Sequence, residues 1–430
     1  MHEPETVTGR GETSARMSEE KRPFSPLQWH FAISSLTIHF VAACKRPISR
    51  EVFVSLVGNF VKLAPQLRLS VGRDRNSHHD TGRVSVEADG KVRGLDPLCQ
   101  YAEVDEFKAA LAGHLERLPD IYDNPDLPAF RARGEMRKQP ESTGTRSLLS
   151  MALAHTLFDG ADLARTLAGL PAANEGFDDT SGTKPMAIFR RMAFWLAAAP
   201  MTAGYLAMAG CERRSIDDFR FAALSIVPQA LNRTAARHGV GRNAMLIAII
   251  LRGLMFDRNG TGTVKAMHMR IPKLRFHGQE DRFLHARTEV LRLRGQTDLT
   301  TFATTVAESL RMQDFGKSAM PFLTSRMLAV ARWLQERLPW LVPEKLKGYA
   351  PADIILSIVP PLDPSGPFAE FRDAVMFGGT CTGTAPSCIV LSGPEATTLT
   401  FWIEKSRVEE RFEGLMALFE REGVPATRWS

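Results

Sequence analysis

Cysteine is scarce, with Cys44, Cys99, Cys211, Cys381 and Cys388 the five in 430 residues. An odd count with no C-x-x-C pair argues against a disulfide framework or a cysteine-held zinc site. A reducing cytoplasm is the expected setting. Charge of one sign is in small excess: 54 Lys and Arg stand against 48 Asp and Glu, a net +6. With no zinc-finger spacing, RNA-binding signature or long basic tract, nucleic acid is not expected as a partner. An anionic small molecule or an acidic membrane surface fits that mild excess as well.

The segment MHEPETVTGRGETSARMSEE has no apolar run of the kind a secretory signal needs, and residues 1–22 read as a disordered leader. No G-x-S-x-G elbow is present, which argues against a serine hydrolase, and no G-x-x-x-x-G-K-[ST] phosphate loop occurs. The glycine pairs 239/241 and 260/262 lack a third glycine and read as turns. His78 and His79 are neighbours in a polar stretch. Adjacent side chains rarely ligate one metal, so a solvated loop is expected there.

What is present is an ordinary globular composition, 44% hydrophobic and 24% charged. Its length suits two or three domains. FAISSLTIHFVAA (31–43) suggests a strand. Ser49 caps a helix with Phe53, Leu56, Val57 and Phe60 on one face, stopped at Pro65. A helix is expected at 104–118, then a strand in SLLSMALA, a loop and a further helix.

Residues 171–184 (PAANEGFDDTSGTK) form a linker candidate. Beyond them MAFWLAAAPMTAGYLAMAGC (192–211) has no charged residue in its twenty, long enough to cross a bilayer. It is mostly Ala, Gly and Met and is broken by Pro200, so packing between domains is the favoured reading, with contact to lipid as the alternative.

In the second half, strands are expected in FAALSIVP, VKAMHMRIP, DIILSIVPP and the hairpin CIVLSGPEATTLTFWIE. Helices are expected in ALNRTAARHGV, 243–256, LTTFATTVAESLRM and 321–346. A last helix would carry a Ser406–Glu409 capping box. The fold class is therefore α/β, with two sheet-and-helix layers. The expected division is leader 1–22, domain 23–170, linker 171–215 and domain 216–430.

The strongest constellation is HTLFDG (155–160), an H-x-x-x-D-G pattern directly after an apolar strand. Strand ends meet clefts. Asp159 can accept backbone N–H groups or pair with an arginine, and Gly160 lets the chain fold back closely. A neutral imidazole held in such a turn can take a proton from a hydroxyl as that group attacks a carbonyl. The motif alone serves equally well for a histidine that merely packs at a strand end.

HxxxDG is the signature of the chloramphenicol-acetyltransferase-like superfamily, and the chain resembles that group over about residues 23–425. It is most similar there to the bacterial wax ester synthase/acyl-CoA:diacylglycerol acyltransferases. Weaker matches follow in order: PFSPLQWHF for the opening segment, the PQLR of PQLRLSV for P-x-L-R, FAALSIVPQALNRTAARHGVGRNAMLIAII for the second domain, and SIVPP for S-N-V-P-G-P. The resemblance implies a two-domain α/β sandwich with an active-site channel between the domains. It also implies acyl-CoA as co-substrate, no cofactor or metal, and an alcohol or lipid acceptor, with peripheral membrane association as an option. It makes His155 the general base and Asp159 its support. Ser357, Gly160 and Asn243 become oxyanion or substrate residues, Asn243 bracing the domain contact. The chain departs from the pattern at Ala154, where the family has a first histidine, at Ala244 and at Ile358. These departures bear on the wax and glyceride substrates, and they keep open a catalytically idle lipid- or partner-binding relative. A condensation-type enzyme using carrier-bound acyl groups is the third reading.

Overall fold

The computed structural model describes residues 21–33, 35–44, 46–105, 121–122, 124–138, 146–171, 196, 200, 219–256, 262–270, 287–314, 320–338, 352–359, 373–377, 386–393 and 396–429. Residues 172–184 of the linker candidate 171–184, all of 192–211 except Leu196 and Pro200, residues 106–118 of the helix expected at 104–118 and the end of that expected at 321–346, from 339 on, lie outside these residues.

The first half is built on a five-stranded sheet. Its strands are β2 (Thr37–Cys44), β7 (Cys99–Val104), β8 (Phe130–Arg137), β9 (Ser147–Ala154) and β14 (Asp373–Phe377), in the order β14-β2-β9-β8-β7. Strand β14 comes from the second half of the chain and pairs antiparallel with β2, so the sheet is completed by a remote segment. Short strands β1 (Arg22–Pro23), β3 (Leu69–Val71) and β4 (Ser77–Asp80) form a small second sheet, and β5 (Ser85–Val86) pairs with β6 (Val92–Arg93).

Helices α1 (Pro26–Ile33), α2 (Arg50–Leu63) and α3 (Gly160–Leu167) pack around the larger sheet. Ser49 caps α2 as expected, its hydroxyl accepting from the Val52 N–H, and Ala64–Pro65 ends it. Phe53, Val57 and Phe60 are buried with Phe40, Met151, Leu153 and Phe158 in one apolar cluster.

The second half has a seven-stranded mixed sheet. Its members are β10 (Phe219–Ile226), β11 (Thr263–Arg270), β12 (Arg287–Arg294), β13 (Ile354–Ile358), β15 (Ser387–Ser392), β16 (Thr397–Glu404) and β17 (Ala426–Arg428), in the order β12-β11-β13-β15-β16-β10-β17. One face supplies Leu224, Ala266, Leu356, Val390 and Phe401 to a core with α4 (Pro228–Arg237), α5 (Arg242–Leu254), α6 (Leu299–Asp314) and α8 (Val408–Arg421). The expected alternation of Leu399, Phe401 and Ile403 is the buried face of the hairpin's second strand.

The opposite face meets the first half. Ala223 and Phe221 pack on Val41 of β2, while Val359, Ile389 and Leu391 join the cluster that holds Phe158 and Leu163. Helix α7 (Met320–Arg337) crosses over to α1, where Ala331 packs with Trp29 and Ala154. There Arg332 Nη1 donates to the Phe24 carbonyl at 2.7 Å.

Four expectations need correction. Residues 31–33 finish α1 rather than beginning a strand, because Ser25 and Pro26 start a helix that the aromatic content of the stretch disguises. His78 and His79 are buried in β4 rather than solvated, with His78 stacked on Phe24 at 5.4 Å. Residues 99–104 are strand, so no helix begins at Val104. The Ser406–Glu409 capping box does not form, because Arg407 is the cap residue and Glu409 binds Arg220 and Arg428 instead. Strand β8 was not anticipated at all: its FRARGEMR text is charged, yet Arg131 and Glu135 are buried.

Candidate active site

His155 follows the last residue of β9, and its backbone N–H donates to the Leu36 carbonyl at 3.0 Å, which ties it to the start of β2. Three residues of turn then lead to Asp159. That carboxylate is fully buried, and its Oδ1 accepts the Asp162 N–H at 3.0 Å while its carbonyl accepts from Leu163. Asp159 is thus the N-cap of α3, satisfying donors that a helix start leaves open. Gly160 opens the helix directly behind the cap. The H-x-x-x-D-G spacing therefore means strand end, three-residue turn, cap and helix.

The two weak motifs of the first half converge on this turn. From the opening segment, Gln28 Nε2 donates to the Thr156 carbonyl at 3.2 Å, and Thr156 Oγ1 donates to the Gln28 carbonyl at 2.7 Å. From the PQLR segment, Gln66 Nε2 reaches Asp162 Oδ2 at 3.4 Å. Gln28, Gln66, Thr156, Asp159 and Asp162 are all buried. Hydrogen bonding of buried polar groups explains these residue types without appeal to catalysis, yet it leaves the turn with little freedom.

The imidazole itself is half-buried, and the Phe31 ring lies 4.6 Å from it, tilted by 44°. Its Nδ1 is out of water and, among the described residues, has no hydrogen-bond partner of normal geometry. Burial lowers its pKa below 6.5. Its own carbonyl, the Asp159 charge and the Phe158 backbone pull the other way without overcoming burial. The ring is neutral at pH 7, the state in which an imidazole accepts a proton.

Ser357 lies in β13 between Met269 of β11 and Ile389 of β15, and is half-buried. Side chains alternate along a strand. Ser357 therefore shares a face with Val359 and sits beside Ile389, two residues that belong to the apolar cluster of Phe158 and α3. The serine is on the sheet face that packs against the first half.

Asn243 is placed differently. It is exposed in the first turn of α5, in a cleft of about 590 Å³ whose other walls include Arg242, Ala307, Leu310 and Arg311, all from the second half. Its neighbour Arg242 ties α5 to the hairpin of the same half, donating to Ser392 Oγ and Thr397 Oγ1 at 2.7 Å each. Arg242 was legible only as the residue before the Asn-Ala pair. Gln28 and Phe31 carried no signal beyond their place in the opening segment. Among the described residues no group of three or more His, Cys, Asp or Glu side chains is arranged to hold a metal ion.

No protein-family model matches the chain, and no curated protein matches it in sequence. Solved structures do match. The trichothecene 15-O-acetyltransferase TRI3 from Fusarium sporotrichioides superposes with a TM-score of 0.62 at 9% identity, over 94% of this chain and 95% of its own. The first condensation domain of the calcium-dependent antibiotic synthetase, in complex with a substrate analogue, gives 0.53 at 14% identity, over 94% of both chains. The nonribosomal peptide synthetase FmoA3 gives 0.56 at 16% identity; 94% of this chain is covered, and it spans 42% of that protein. The shared property is the fold. The expected chloramphenicol-acetyltransferase-like α/β architecture is the architecture of this chain. Among the described residues no helix is long and apolar enough to cross a membrane.

Proposed function

We propose that the protein is an acyltransferase that moves an acyl group from a thioester, acyl-CoA in the first instance, to a hydroxyl acceptor. The observation that carries this reading is the neutral imidazole of His155 at a strand end, in a turn fixed by its own cap and by buried Gln28, with Gln66 holding the helix that follows. His155 removes the acceptor's O–H proton as that oxygen bonds to the thioester carbonyl carbon. The C–S bond then breaks, and the departing sulfur takes the proton back from the imidazolium. No covalent enzyme intermediate is involved.

The oxyanion of the tetrahedral intermediate needs a donor, and loss of one such donor costs about 3–4 kcal/mol in other enzymes. Ser357 is the candidate, supported by its place on the face turned toward the first half. Asp159 holds the turn and exchanges no proton. Acceptors of the wax-alcohol or diacylglycerol type are the family expectation, which the loss of the first histidine at Ala154 makes the first thing to test.

A second reading is a condensation-type enzyme whose donor is a carrier-bound acyl group, supported by the likeness in fold to the condensation domain of the calcium-dependent antibiotic synthetase at 14% identity. Mass spectrometry of products decides between them. The purified chain is offered palmitoyl-CoA or palmitoyl-acyl-carrier protein, each with hexadecanol, dipalmitoylglycerol or a primary amine. An ester formed from the CoA donor supports the proposal, and product from the carrier donor alone supports the second reading. No product from any pair favours an idle relative.

A further inference from the structure

Helix α1 is set at its N-terminus by residues of its own segment. Ser25 Oγ accepts the Gln28 N–H at 3.2 Å, and Gln28 Oε1 accepts the Ser25 N–H at 2.9 Å. This reciprocal S-P-L-Q box, with proline in the first helical position, is a capping box with glutamine in the usual place of glutamate. It uses one end of the Gln28 amide. The other end, Nε2, crosses 128 residues of sequence to the Thr156 carbonyl, and the Gln28 carbonyl receives the Thr156 hydroxyl in return. One buried side chain thus fixes both a helix start and the residue next to His155. One turn further along the same helix, Phe31 lies against the imidazole.

We propose that α1 is the positioning element for His155, with Gln28 fixing the backbone of the turn and Phe31 the plane of the ring. This rests on the reading of His155 as the base, but its physical content is the orientation and hydration of that ring. Neither residue takes or gives a proton in the transfer step. Gln28 holds Thr156 so that the imidazole cannot swing with the turn, and Phe31 excludes water from one side of it.

His30, adjacent to Phe31 on α1, is itself lowered to about 4 by burial and carries no charge at neutral pH. Asp159 is the acid whose charge acts on the ring from the turn side.

The experiment is an NMR titration of the His155 ring in the full chain, assigned by comparison with His155→Gln. It is run on wild type, Phe31→Leu, Gln28→Met and Gln28→Glu. Phe31→Leu admits water and moves the His155 titration upward, toward 6.5. Gln28→Glu keeps an acceptor for Ser25 but replaces the donor to Thr156 with a buried negative charge, which also moves it upward. Gln28→Met keeps the volume and loses both bonds. Its turnover falls roughly tenfold to hundredfold with KM little changed, as expected for a misplaced reacting group.

Thermal melts show which variants remain folded, and Phe31→Leu serves if the Gln28 variants do not. A titration unmoved in folded Phe31→Leu and Gln28→Glu overturns the proposal even when His155→Ala is inactive. Conversely, a wild-type rate in His155→Ala overturns the catalytic reading while leaving the ring titration to decide what α1 does.

Discussion

Lowering the pH from 7 to 5 should cost this protein stability through imidazoles that burial keeps neutral over that range. His39 on β2 and His30 on α1 are each lowered from 6.5 to about 4, and His155 moves in the same direction. The ring Nδ1 of His39 is out of water, although the residue as a whole is half-buried. In the unfolded chain such a ring takes up a proton near pH 6.5, but in the folded protein not until about pH 4. The stability it contributes is therefore complete above 6.5 and drains away as the pH falls.

At about 1.4 kcal/mol per unit, 1.5 units below the unfolded value, each of these two rings costs about 2 kcal/mol at pH 5. Carboxylates titrate over part of the same range, so the useful quantity is a difference. Urea unfolding of wild type and His39→Gln is measured at both pH values. The variant should lose about 2 kcal/mol less than wild type between pH 7 and 5. Equal losses in the two proteins would mean that the folded chain protonates His39 as readily as the unfolded one, and the burial argument would fail.

Replacing Asp159 by Ala removes the cap of α3 and should lower stability by about 1–2 kcal/mol, whereas Asn keeps an acceptor for the Asp162 N–H and should lose less; thermal melts separate the two. Arg242→Ala strips the Ser392 and Thr397 hydroxyls of their shared donor, and about 1–3 kcal/mol should be lost in urea titration with the first half's contacts untouched. A Cβ at Gly134 would stand 2.8 Å from the Phe53 ring, so Gly134→Ala should cost about 1–3 kcal/mol, and adding Phe53→Leu should recover part of it.

Much of the fold was legible because its elements obey simple patterns. SLLSMALA is β9 residue for residue, since an apolar run bounded by polar text has few alternatives in a sheet buried on both faces. The hairpin of β15 and β16 and the inward faces of α2, α6 and α8 followed from alternation and helical spacing in the same way.

What hid was structure whose residue types contradict its environment. β8 carries Arg131, Arg133 and Glu135 on one face of a central strand, where Arg133 pairs with Glu135 at 2.7 Å and Arg131 bonds the Pro128 carbonyl at 2.8 Å. Charge there signals a satisfied interior, which no hydropathy reading separates from a loop. His78 and His79 misled for the same reason. β14 is invisible for another: its five residues matter by pairing with a strand more than 300 positions away, and local text carries no record of that partner.

The site shows the same division. His155, Asp159 and Gly160 follow from one local motif, and the structure puts them at a strand end, a cap and a helix start. The approach of Ser357's strand to the first half depends on how two sheets pack, and the Gln28–Thr156 pair on how α1 lies against the turn after β9. Family order suggested that these segments belong together, while hydrogen bonds and the shared apolar cluster supply the physical reason. Asn243, by contrast, was expected at the contact between halves and lines a cleft whose described walls belong to the second half.

The central claim is that the imidazole at the end of β9 removes a proton from the attacking hydroxyl. Thiol release from palmitoyl-CoA in the presence of hexadecanol, followed side by side for wild type and His155→Ala, measures it most directly. The account predicts acceptor-dependent release by wild type and a loss of roughly a hundredfold or more in the variant, within the range general-base catalysis supplies. Equal rates in the two proteins would contradict it.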